Sequence, residues 1–330
     1  MTRRALRFIW VVLLLAGGTL TVCLQGCSLI PPRVQSTPPP ATAPAEAVKI
    51  AGASVLLGVG DIASCGSRLA EATAKIADSI LKADSIAKVD DAVFTLGDNA
   101  YGSGTEQQFA ECFTASWGNP NRRMMKKMHP SPGNHEYLTD VANPYYKYFG
   151  AAAGEKGRGY YSYDVGQWHI VVLNSELIVD VAFASTEQKL QMEWLAKDLV
   201  DHKKDCTIAY WHHPRFSSGW HGSDWHMIPL WQVLYDNNVD VVLTGHDHHY
   251  ERFLPMTAQG VLDTLRGIPS YVVGTGGEDL RGLGTIQPNS VTRIQGHAGI
   301  LLLTLGAKEY RSAFVDSDGR VWDETGGKCH

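Results

Sequence analysis

The residues Gly245-His246-Asp247-His248-His249-Tyr250-Glu251-Arg252 give the clearest indication of how this chain folds. They directly follow residues 239–244, an apolar run rich in β-branched side chains that predicts a buried parallel strand. His246 and His248 therefore stand on the loop that leaves the C-terminal end of a strand, where α/β sheets build their functional sites. Two histidines two residues apart on an extended backbone project to the same side, so both imidazoles can approach one metal centre.

Four further loops carry polar side chains of a related kind. Short apolar runs predict a strand directly before each of these loops. In chain order the loops carry Asp61; Asp98 and Tyr101; Asn134 and His135; and His212 and His213. A single histidine pair in a loop is more often a solvated turn than a set of ligands. Five such loops at successive strand ends instead predict one polar site at the C-terminal edge of a sheet.

The rest of the chain alternates between helical and strand patterns. Further strands are predicted at residues 160–165, 168–174, 270–273, 298–305 and 309–315, and helices after the first strand, at 106–116, from Ser185 and at 227–236. No internal repeat is visible. This order predicts an α/β fold with two β-sheets and flanking helices.

The donor atoms on the five loops indicate a metal centre. They are carboxylate and amide oxygens, a phenol and imidazole nitrogens, with no thiolate among them. That mixture suits Zn²⁺, Mn²⁺ or iron and argues against copper(I) or an iron–sulfur cluster. There are also too many donors for one tetrahedral ion. Because a carboxylate such as Asp98 can give one oxygen to each of two ions, a two-metal centre is predicted.

Over roughly residues 54–275, the motifs resemble those of the calcineurin-like metallophosphoesterases. They are Gly60-Asp61, Gly97-Asp98-Asn99-Ala100-Tyr101, Gly133-Asn134-His135-Glu136, His212-His213-Pro214 and Gly245-His246-Asp247-His248. Many members carry Asp-x-His in the first motif, whereas Asp61-Ile62-Ala63 lacks that histidine. Tyr101, three residues after Asp98, is instead similar to the purple acid phosphatase branch, where the tyrosine binds ferric iron. The resemblance implies a four-layer α/β/β/α sandwich with its metal site at the C-terminal strand ends.

The resemblance also implies a role for each site residue. The first metal would be held by Asp61, Asp98, Tyr101 and His248, and the second by Asp98, Asn134, His212 and His246. Fe(III) is expected at the Tyr101 site with zinc, iron or manganese at the other, or else two divalent ions. The family's His-x-Pro spacing favours His212 over His213, which leaves His213 beside the metals or in contact with substrate. His135 resembles the family's catalytic histidine, which sits beside the metals without binding them.

The activity implied by the resemblance is phosphoric ester hydrolysis. An acid phosphatase-like phosphomonoesterase would use a metal-bound hydroxide as nucleophile, with His135 as general acid and stabiliser of charge on phosphoryl oxygens. A phosphodiesterase or nucleotidase on the same metals is the alternative enzyme, and an inactive exported protein that binds metal or phosphate is the alternative outside enzymes. Residues 217–226, rich in Gly, Ser, Trp and His, form either a substrate rim, with His221 or His226 touching phosphate, or a packed surface loop.

The amino terminus predicts export. Three arginines within residues 1–7 precede the apolar residues 8–22, which is the order of a secretory signal peptide and too short for a comfortable membrane span. Leu24-Gln25-Gly26-Cys27 resembles a bacterial lipobox, which implies a lipid on Cys27. Ordinary cleavage or a retained anchor are the alternatives. The expected location is a membrane-anchored lipoprotein of the periplasm or cell surface, at the outer membrane in a Gram-negative host.

These features divide the chain into a signal peptide at residues 1–26, a lipidated and Pro-rich tether at 27–48, and a single catalytic domain at 49–330. The formal charge of −5 includes three signal-peptide arginines, so cleavage leaves −8. That charge argues against nucleic acid as a partner. The expected partners are a small phosphate ester and, through the lipid, a membrane; no protein partner is evident.

Four cysteines remain beyond the lipobox, an even number that predicts disulfides in an oxidising compartment. Cys65 and Cys112 lie just beyond two of the predicted site loops, so they are the first expected pair. Cys206 with Cys329 follows only by elimination.

Overall fold

The computed structural model describes residue 50 and residues 52–87, 89–179, 186–202 and 204–330. The predicted signal peptide, Cys27 and the tether therefore lie outside the described residues, as does Ser185 at the predicted start of a helix. Within the described ranges, no helix combines the length and the apolar character needed to cross a membrane.

The described part of the chain contains thirteen strands in two sheets. They are β1 (Ser54–Val59), β2 (Asp91–Leu96), β3 (Met128–Ser131), β4 (Tyr161–Val165), β5 (Trp168–Val172), β6 (Cys206–Tyr210), β7 (Val241–Thr244), β8 (Tyr250–Met256), β9 (Ile268–Val273), β10 (Ser290–Ile294), β11 (Gly299–Leu305), β12 (Glu309–Asp316) and β13 (Val321–Lys328). The first sheet has the order β13-β12-β11-β1-β2-β3, and the second has the order β10-β8-β9-β7-β6-β5-β4.

Helices connect and cover these sheets. They are α1 (Arg68–Ala87), α2 (Glu106–Gln108), α3 (Asn134–Tyr137), α4 (Asn143–Phe149), α5 (Glu176–Val179), α6 (Glu187–Asp201) and α7 (Ile228–Asp236). Shorter 3₁₀ turns lie at Met124–Lys127, Asp140–Ala142, Gly150–Ala153 and Trp225–Met227, and a π turn lies at Phe109–Phe113. The helix predicted at 106–116 is therefore wrong in form, because α2 ends after three residues and a wider turn brings Phe109 and Phe113 against Phe149.

Alternate residues of the central strands belong to two different cores, as strand geometry requires. On β6, Tyr210 donates a hydrogen bond to the carbonyl of His129 on β3 at 2.7 Å, and its ring centroid lies 5.6 Å from that of Phe94 on β2. The inner faces of the two sheets therefore pack together. Ala209 instead joins the core beneath α6 and α7 with Leu195. Since α1 buries its apolar face against the first sheet, the predicted four-layer sandwich is confirmed.

Parallel pairing brings the ends of several strands to one edge. β1, β2 and β3 run parallel, as do β5, β6, β7 and β9. Beyond β1, the amide of Gly60 donates to the carbonyl of Val273 at the end of β9 at 2.9 Å, which joins the two sheets at that edge. The loops with the predicted donor residues leave from the same edge.

Two disulfides join the four cysteines of the described part. Cys65 is bonded to Cys112 with a Cα–Cα distance of 4.4 Å, and Cys206 to Cys329 with 5.3 Å. The first bond links the loop after β1 to the turn that follows α2. The second links the start of β6 to the residue after β13.

Candidate metal centre

Three of the predicted site residues have an unusual backbone conformation. Asp61, Asp98 and His246 have φ values of 60°, 50° and 69°. Residues other than glycine seldom occupy this left-handed region. Such strain persists only where the surrounding structure holds it, and it clusters at functional sites. Each of these residues lies just beyond a strand, so the strand ends and their loops direct the three side chains.

A phenol, two carboxylates and an imidazole form the first donor group. The Tyr101 hydroxyl lies 2.9 Å from Asp61 Oδ1, 3.0 Å from Asp98 Oδ2 and 3.3 Å from His248 Nε2. All four side chains are buried. The Nδ1–H of His248 donates to the carbonyl of Asp279 at 2.6 Å, which leaves Nε2 turned toward the other donors.

The second donor group lies on the other side of Asp98. His212 Nε2 is 3.0 Å from Asn134 Oδ1, 3.3 Å from Asp98 Oδ2 and 3.2 Å from His246 Nδ1. The Nδ1–H of His212 donates to the carbonyl of Leu96 at 2.7 Å, so Nε2 again faces inward. Asp98 belongs to both groups because its Oδ2 atom faces donors on each side.

Two glycines allow this close approach. A Cβ atom at Gly133 would lie 2.4 Å from Asp98 Oδ1, and one at Gly97 would lie 2.6 Å from His212 Nδ1. Gly97 also has a φ of 82°, which disfavours any larger residue. A side chain at either position would therefore displace a donor residue.

The charges of the two groups are strongly coupled. Burial alone would raise the pKa of Asp98, but His212 and His135 outweigh it and hold that pKa below its usual range. Burial lowers the pKa of His212, yet Asp98 and then Asp61 raise it to about 10. Burial and the same two carboxylates raise the pKa of Tyr101 well above its usual value. A phenolate at Tyr101 therefore needs a nearby cation to compensate its charge.

His135 lies beside the donor groups without joining either of them. Its backbone amide donates to Asp98 Oδ1 at 2.8 Å, and its Nδ1–H donates to the carbonyl of Gly102 at 2.7 Å. Its Nε2 atom is 3.8 Å from Asp98 Oδ2, and its ring centroid is 4.4 Å from that of Tyr101. With 29% of its side chain exposed, His135 is accessible from the open side of the centre.

Glu136 has a role that the motif alone did not reveal. It is fully buried, and its carboxylate accepts hydrogen bonds from the amides of Asp98, Asn99, Ala100 and Gly133 at 2.8–3.2 Å. Burial and the nearby charge of Asp98 raise the pKa of Glu136 to about 8, although the Gly133 and Ala100 amides lower it. Glu136 thus ties together the loops that follow β2 and β3. Its place three residues after the helix N-cap, as in a capping box, was the available signal.

A cleft of about 270 Å³ opens beside the second donor group. It is lined by His213, His221, Gly222, Ser223, Asp224, Trp225, His226 and His246. The ring centroid of His221 lies 4.3 Å from that of His246. His226 Nδ1 instead lies 2.8 Å from Asp224 Oδ1, and its ring stacks on Trp225. The structure thus brings His221 close to the donor groups and places His226 at the outer wall.

His213 borders the cleft but points its Nδ1 atom away from both donor groups. That atom lies 3.0 Å from Ser175 Oγ and 3.1 Å from Glu176 Oε1. Its ring centroid is 4.3 Å from that of His246, so His213 packs beside the second group. His249, outside the Gly-His-x-His frame, is buried and pairs with Glu251 at 3.0 Å.

Asp247 is a second residue that the motifs did not assign. It is buried and accepts hydrogen bonds from the Ser217 hydroxyl at 2.5 Å and from the amides of His221 and Gly222 at 2.9 and 3.2 Å. Asp247 therefore fixes the 217–226 loop against the strand end that carries His246. An acidic residue between two site histidines was the only sequence signal for this role.

Comparison with known proteins agrees with this architecture. The chain is 30% identical to purple acid phosphatase 15 of Arabidopsis thaliana over 133 residues, which cover 36% of this chain and 24% of that protein. It is 25% identical to acid phosphatase type 7 of Homo sapiens over 213 residues, or 57% and 47% of the two chains. The chain thus spans less than half the length of either relative. Purple acid phosphatase PPD1 from yellow lupin seeds has a TM-score of 0.68 at 19% identity, covering 85% of this chain and 55% of that one.

A second solved structure is GAP50, described as the anchor in the inner membrane complex of Plasmodium. Its TM-score is 0.67 at 13% identity, and the superposition covers 84% of this chain and 89% of that one. At such identities the likeness concerns the fold alone. Residues 55–250, more than half of the chain, also match the model of the calcineurin-like phosphoesterase family. Since that segment runs from β1 to the start of β8 and carries all five donor loops, the chain belongs to the calcineurin-like phosphoesterase family.

Proposed function

We propose that this chain is an acid phosphatase-like phosphomonoesterase that uses two metal ions. The observation that carries the proposal is the position of Asp98, whose Oδ2 lies 3.0 Å from the Tyr101 hydroxyl and 3.3 Å from His212 Nε2. One carboxylate between two donor groups is suited to two ions. The similarity to purple acid phosphatase 15 and acid phosphatase type 7 supports the choice of reaction.

The donor chemistry fits two ions. The first would be held by Asp61, Asp98, Tyr101 and His248, and the second by Asp98, Asn134, His212 and His246. Donor atoms of Asp98, His212 and His246 all lie within 4.8 Å of one another. His212 and His248 each donate Nδ1–H to a backbone carbonyl, the usual support of a metal-binding imidazole. We infer ferric iron beside Tyr101 with zinc, iron or manganese at the second group; two divalent ions are the alternative.

When bound, two such ions polarise phosphoryl oxygens and lower the pKa of water toward neutrality. The protein's part is to position and to transfer protons. The Gly102 carbonyl holds the Nδ1–H of His135, so Nε2 is the atom that can carry a proton to the leaving oxygen. Its partial exposure leaves it accessible to a substrate in the centre. His221, beside His246 in the cleft, is placed to donate a hydrogen bond to a phosphoryl oxygen.

A panel of esters tests this function. The purified full-length chain, loaded with iron and zinc, is assayed with phenyl phosphate, bis(p-nitrophenyl) phosphate and adenosine monophosphate. Phenyl phosphate is expected to be hydrolysed far faster than the diester. A preference for the diester would favour a phosphodiesterase, and a preference for the nucleotide would favour a nucleotidase. Two bound metals without turnover of any ester would contradict an enzyme and favour a binding protein.

Tyr101→Phe tests the iron assignment. Iron-loaded protein should be coloured by phenolate-to-iron charge transfer, and the substitution should abolish that visible absorption band. Part of the activity should persist, because Asp61, Asp98 and His248 can still hold a metal. Tyr163→Phe, which removes a partly buried hydroxyl next to that of Tyr210 and outside both donor groups, should keep the colour. Colourless iron-loaded protein, or a band unchanged in Tyr101→Phe, would favour two divalent ions.

We further propose that the chain is exported and anchored through Cys27. The support is the order of residues 1–27 and the Pro-rich composition of residues 28–48. Two disulfides are also in keeping with an oxidising compartment outside the cytoplasm.

Cys27→Ser tests this anchor. The variant should lose its lipid and leave the membrane fraction, or accumulate as an unprocessed precursor, while its catalytic part still folds. Ultracentrifugation and intact-mass measurement provide the readouts. Cys23→Ser removes a neighbouring thiol outside the lipobox cysteine position and should leave the protein membrane-bound. An unmodified mature terminus beyond Cys27 in the wild-type protein would end this proposal.

A further inference from the structure

A cationic side chain, that of Arg281, contacts His221, one of the residues that line the cleft. The Arg281 guanidinium donates from Nη1 to His221 Nε2 at 2.9 Å, and its central carbon lies 5.6 Å from the ring centroid of Trp220. In the described ranges, Arg281 forms no ion pair with a carboxylate. Among the residues that the structure describes, no ion pair therefore neutralises the charge of this guanidinium, and most of its N–H donors are available to a ligand.

The backbone ties Arg281 to the first donor group. Its amide donates to the carbonyl of His248 at 3.0 Å. Two residues earlier, the carbonyl of Asp279 accepts the Nδ1–H of His248 at 2.6 Å. Residues 279–281 thus contact His248 through both its backbone and its ring. The position of Arg281 is consequently set by the same residue that completes the first donor group.

His221 lies between Arg281 and the second donor group. Its ring centroid is 4.3 Å from that of His246, and its amide is held by Asp247 at 2.9 Å. If a phosphoryl group bound beside His246, the Arg281 guanidinium would therefore lie beyond it by about the width of one imidazole ring. Only a substrate with an acceptor beyond the transferred phosphoryl group could contact both.

Trp220 supports the guanidinium from the solvent side. Its side chain is 72% exposed, and the cation lies over its ring face. Cation–π attraction of this kind restrains an arginine that would otherwise sample many rotamers. The planar fork that Arg281 presents matches the geometry of a carboxylate or a phosphate.

We propose that Arg281, positioned by Trp220 and His221, binds a second anionic group of the substrate. The enzyme would then prefer phosphate esters or anhydrides that carry a carboxylate or a further phosphate beyond the scissile bond. This inference rests on the proposed phosphatase function and specifies its substrate class.

Two pairs of substrates test the subsite on the metal-loaded, full-length protein. Phenyl phosphate and 4-carboxyphenyl phosphate differ by one carboxylate, and adenosine monophosphate and diphosphate differ by one phosphate. In at least one pair, wild-type kcat/KM should be higher for the member with the extra anion. Arg281→Gln should lower kcat/KM for that member by about 10- to 100-fold and for its partner by less than about threefold, as expected for one lost charge-assisted hydrogen bond. Arg281→Lys should give a kcat/KM for that member between those of the wild type and Arg281→Gln, because lysine keeps the charge but lacks the planar fork.

Arg266→Gln is the matched control. Arg266 also lies over an aromatic ring, 5.0 Å from the centroid of Tyr235, but its guanidinium donates to Asn238 rather than to a residue of the cleft. The Arg266→Gln variant should leave kcat/KM unchanged for all four substrates. A preference confined to the adenosine pair would assign the subsite to phosphate, and one confined to the phenyl pair would assign it to carboxylate. Equal losses for both members of each pair in Arg281→Gln, or no loss at all, would overturn the inference.

Binding measurements separate this inference from the proposed function. Phenylphosphonate and 4-carboxyphenylphosphonate cannot be hydrolysed as esters, and their affinities can be compared by calorimetry. Tighter binding of the carboxylate compound that is lost in Arg281→Gln would support the subsite even if no ester were turned over. Ester turnover without any effect of Arg281 on either substrate pair or on the phosphonates would leave the phosphatase standing and remove the subsite.

Discussion

Asp98→Asn is expected to lose both metal ions and, with them, measurable phosphatase activity. The Asp98 carboxylate uses Oδ1 to accept the amide of His135 and directs Oδ2 toward both Tyr101 and His212. An amide at this position would provide one oxygen, no charge and two N–H donors among groups that need an acceptor. Removal of one buried charge also leaves its cationic partners uncompensated. Metal content per chain and kcat with phenyl phosphate measure the effect.

Asp91→Asn is the matched control for this substitution. Asp91 begins the strand that ends just before Asp98, is also buried, and pairs with Lys127. Its loss should lower the thermal midpoint of unfolding while the protein keeps two metals and near-normal turnover. If Asp98→Asn also kept two metals and near-normal turnover, the proposal that Asp98 serves both metal ions would be wrong.

His135→Ala should have a different effect, lowering kcat by roughly 10²- to 10⁴-fold, the range typical of general acid–base catalysis. Both metals should stay bound, because the His135 ring lies outside the two donor groups and its Nε2 is 3.8 Å from Asp98 Oδ2. If Nε2 delivers a proton to the leaving oxygen, alkyl phosphates should lose more rate than aryl phosphates, since an alkoxide is the poorer leaving group. Rates for both ester types and metal content are the measurements.

His129→Ala controls for the general loss of a histidine from this region. His129 lies on β3, six residues before His135, and stacks on Tyr163 with a centroid distance of 3.6 Å. Its replacement should affect stability and leave kcat close to the wild-type value. Loss of metal from His135→Ala would make His135 a ligand, and equal losses for alkyl and aryl esters would rule out its role as proton donor.

The buried parallel strands could be predicted because their sequences are nearly continuous apolar runs. Val241–Thr244 is an example. β8, β10 and β13 were not predicted, since β8 contains Pro255, β10 is short and largely polar, and β13 contains Gly326 and Gly327. Antiparallel pairing with other segments defines these strands; Tyr250, for instance, pairs with Val273. This pairing also shortens the loop that begins at Gly245, because β8 already starts at Tyr250.

The candidate site also contains some residues that could be predicted from the sequence and others that could not. Asp61, Asp98 and His248 could be predicted as donors because each follows the end of a recognisable strand within four residues. Arg281 could not, since its importance depends on a hydrogen bond to His221, 60 residues away in the chain. The role of Glu136 could not be predicted for a similar reason. Its burial, and therefore its four amide contacts, depends on how two loops meet in space.

The Cys65–Cys112 disulfide has a consequence for the order in which the centre assembles. It joins two cysteines 47 residues apart: Cys65 lies four residues after Asp61, and Cys112 lies eleven residues after Tyr101. In a chain-entropy treatment, closing a loop of this length lowers the conformational entropy of the unfolded chain, which is worth about 4 kcal/mol of free energy. Once oxidised, the chain therefore holds two donors of the first group near each other even before it folds. Oxidation should thus precede efficient metal uptake, and protein made under reducing conditions should acquire metal slowly.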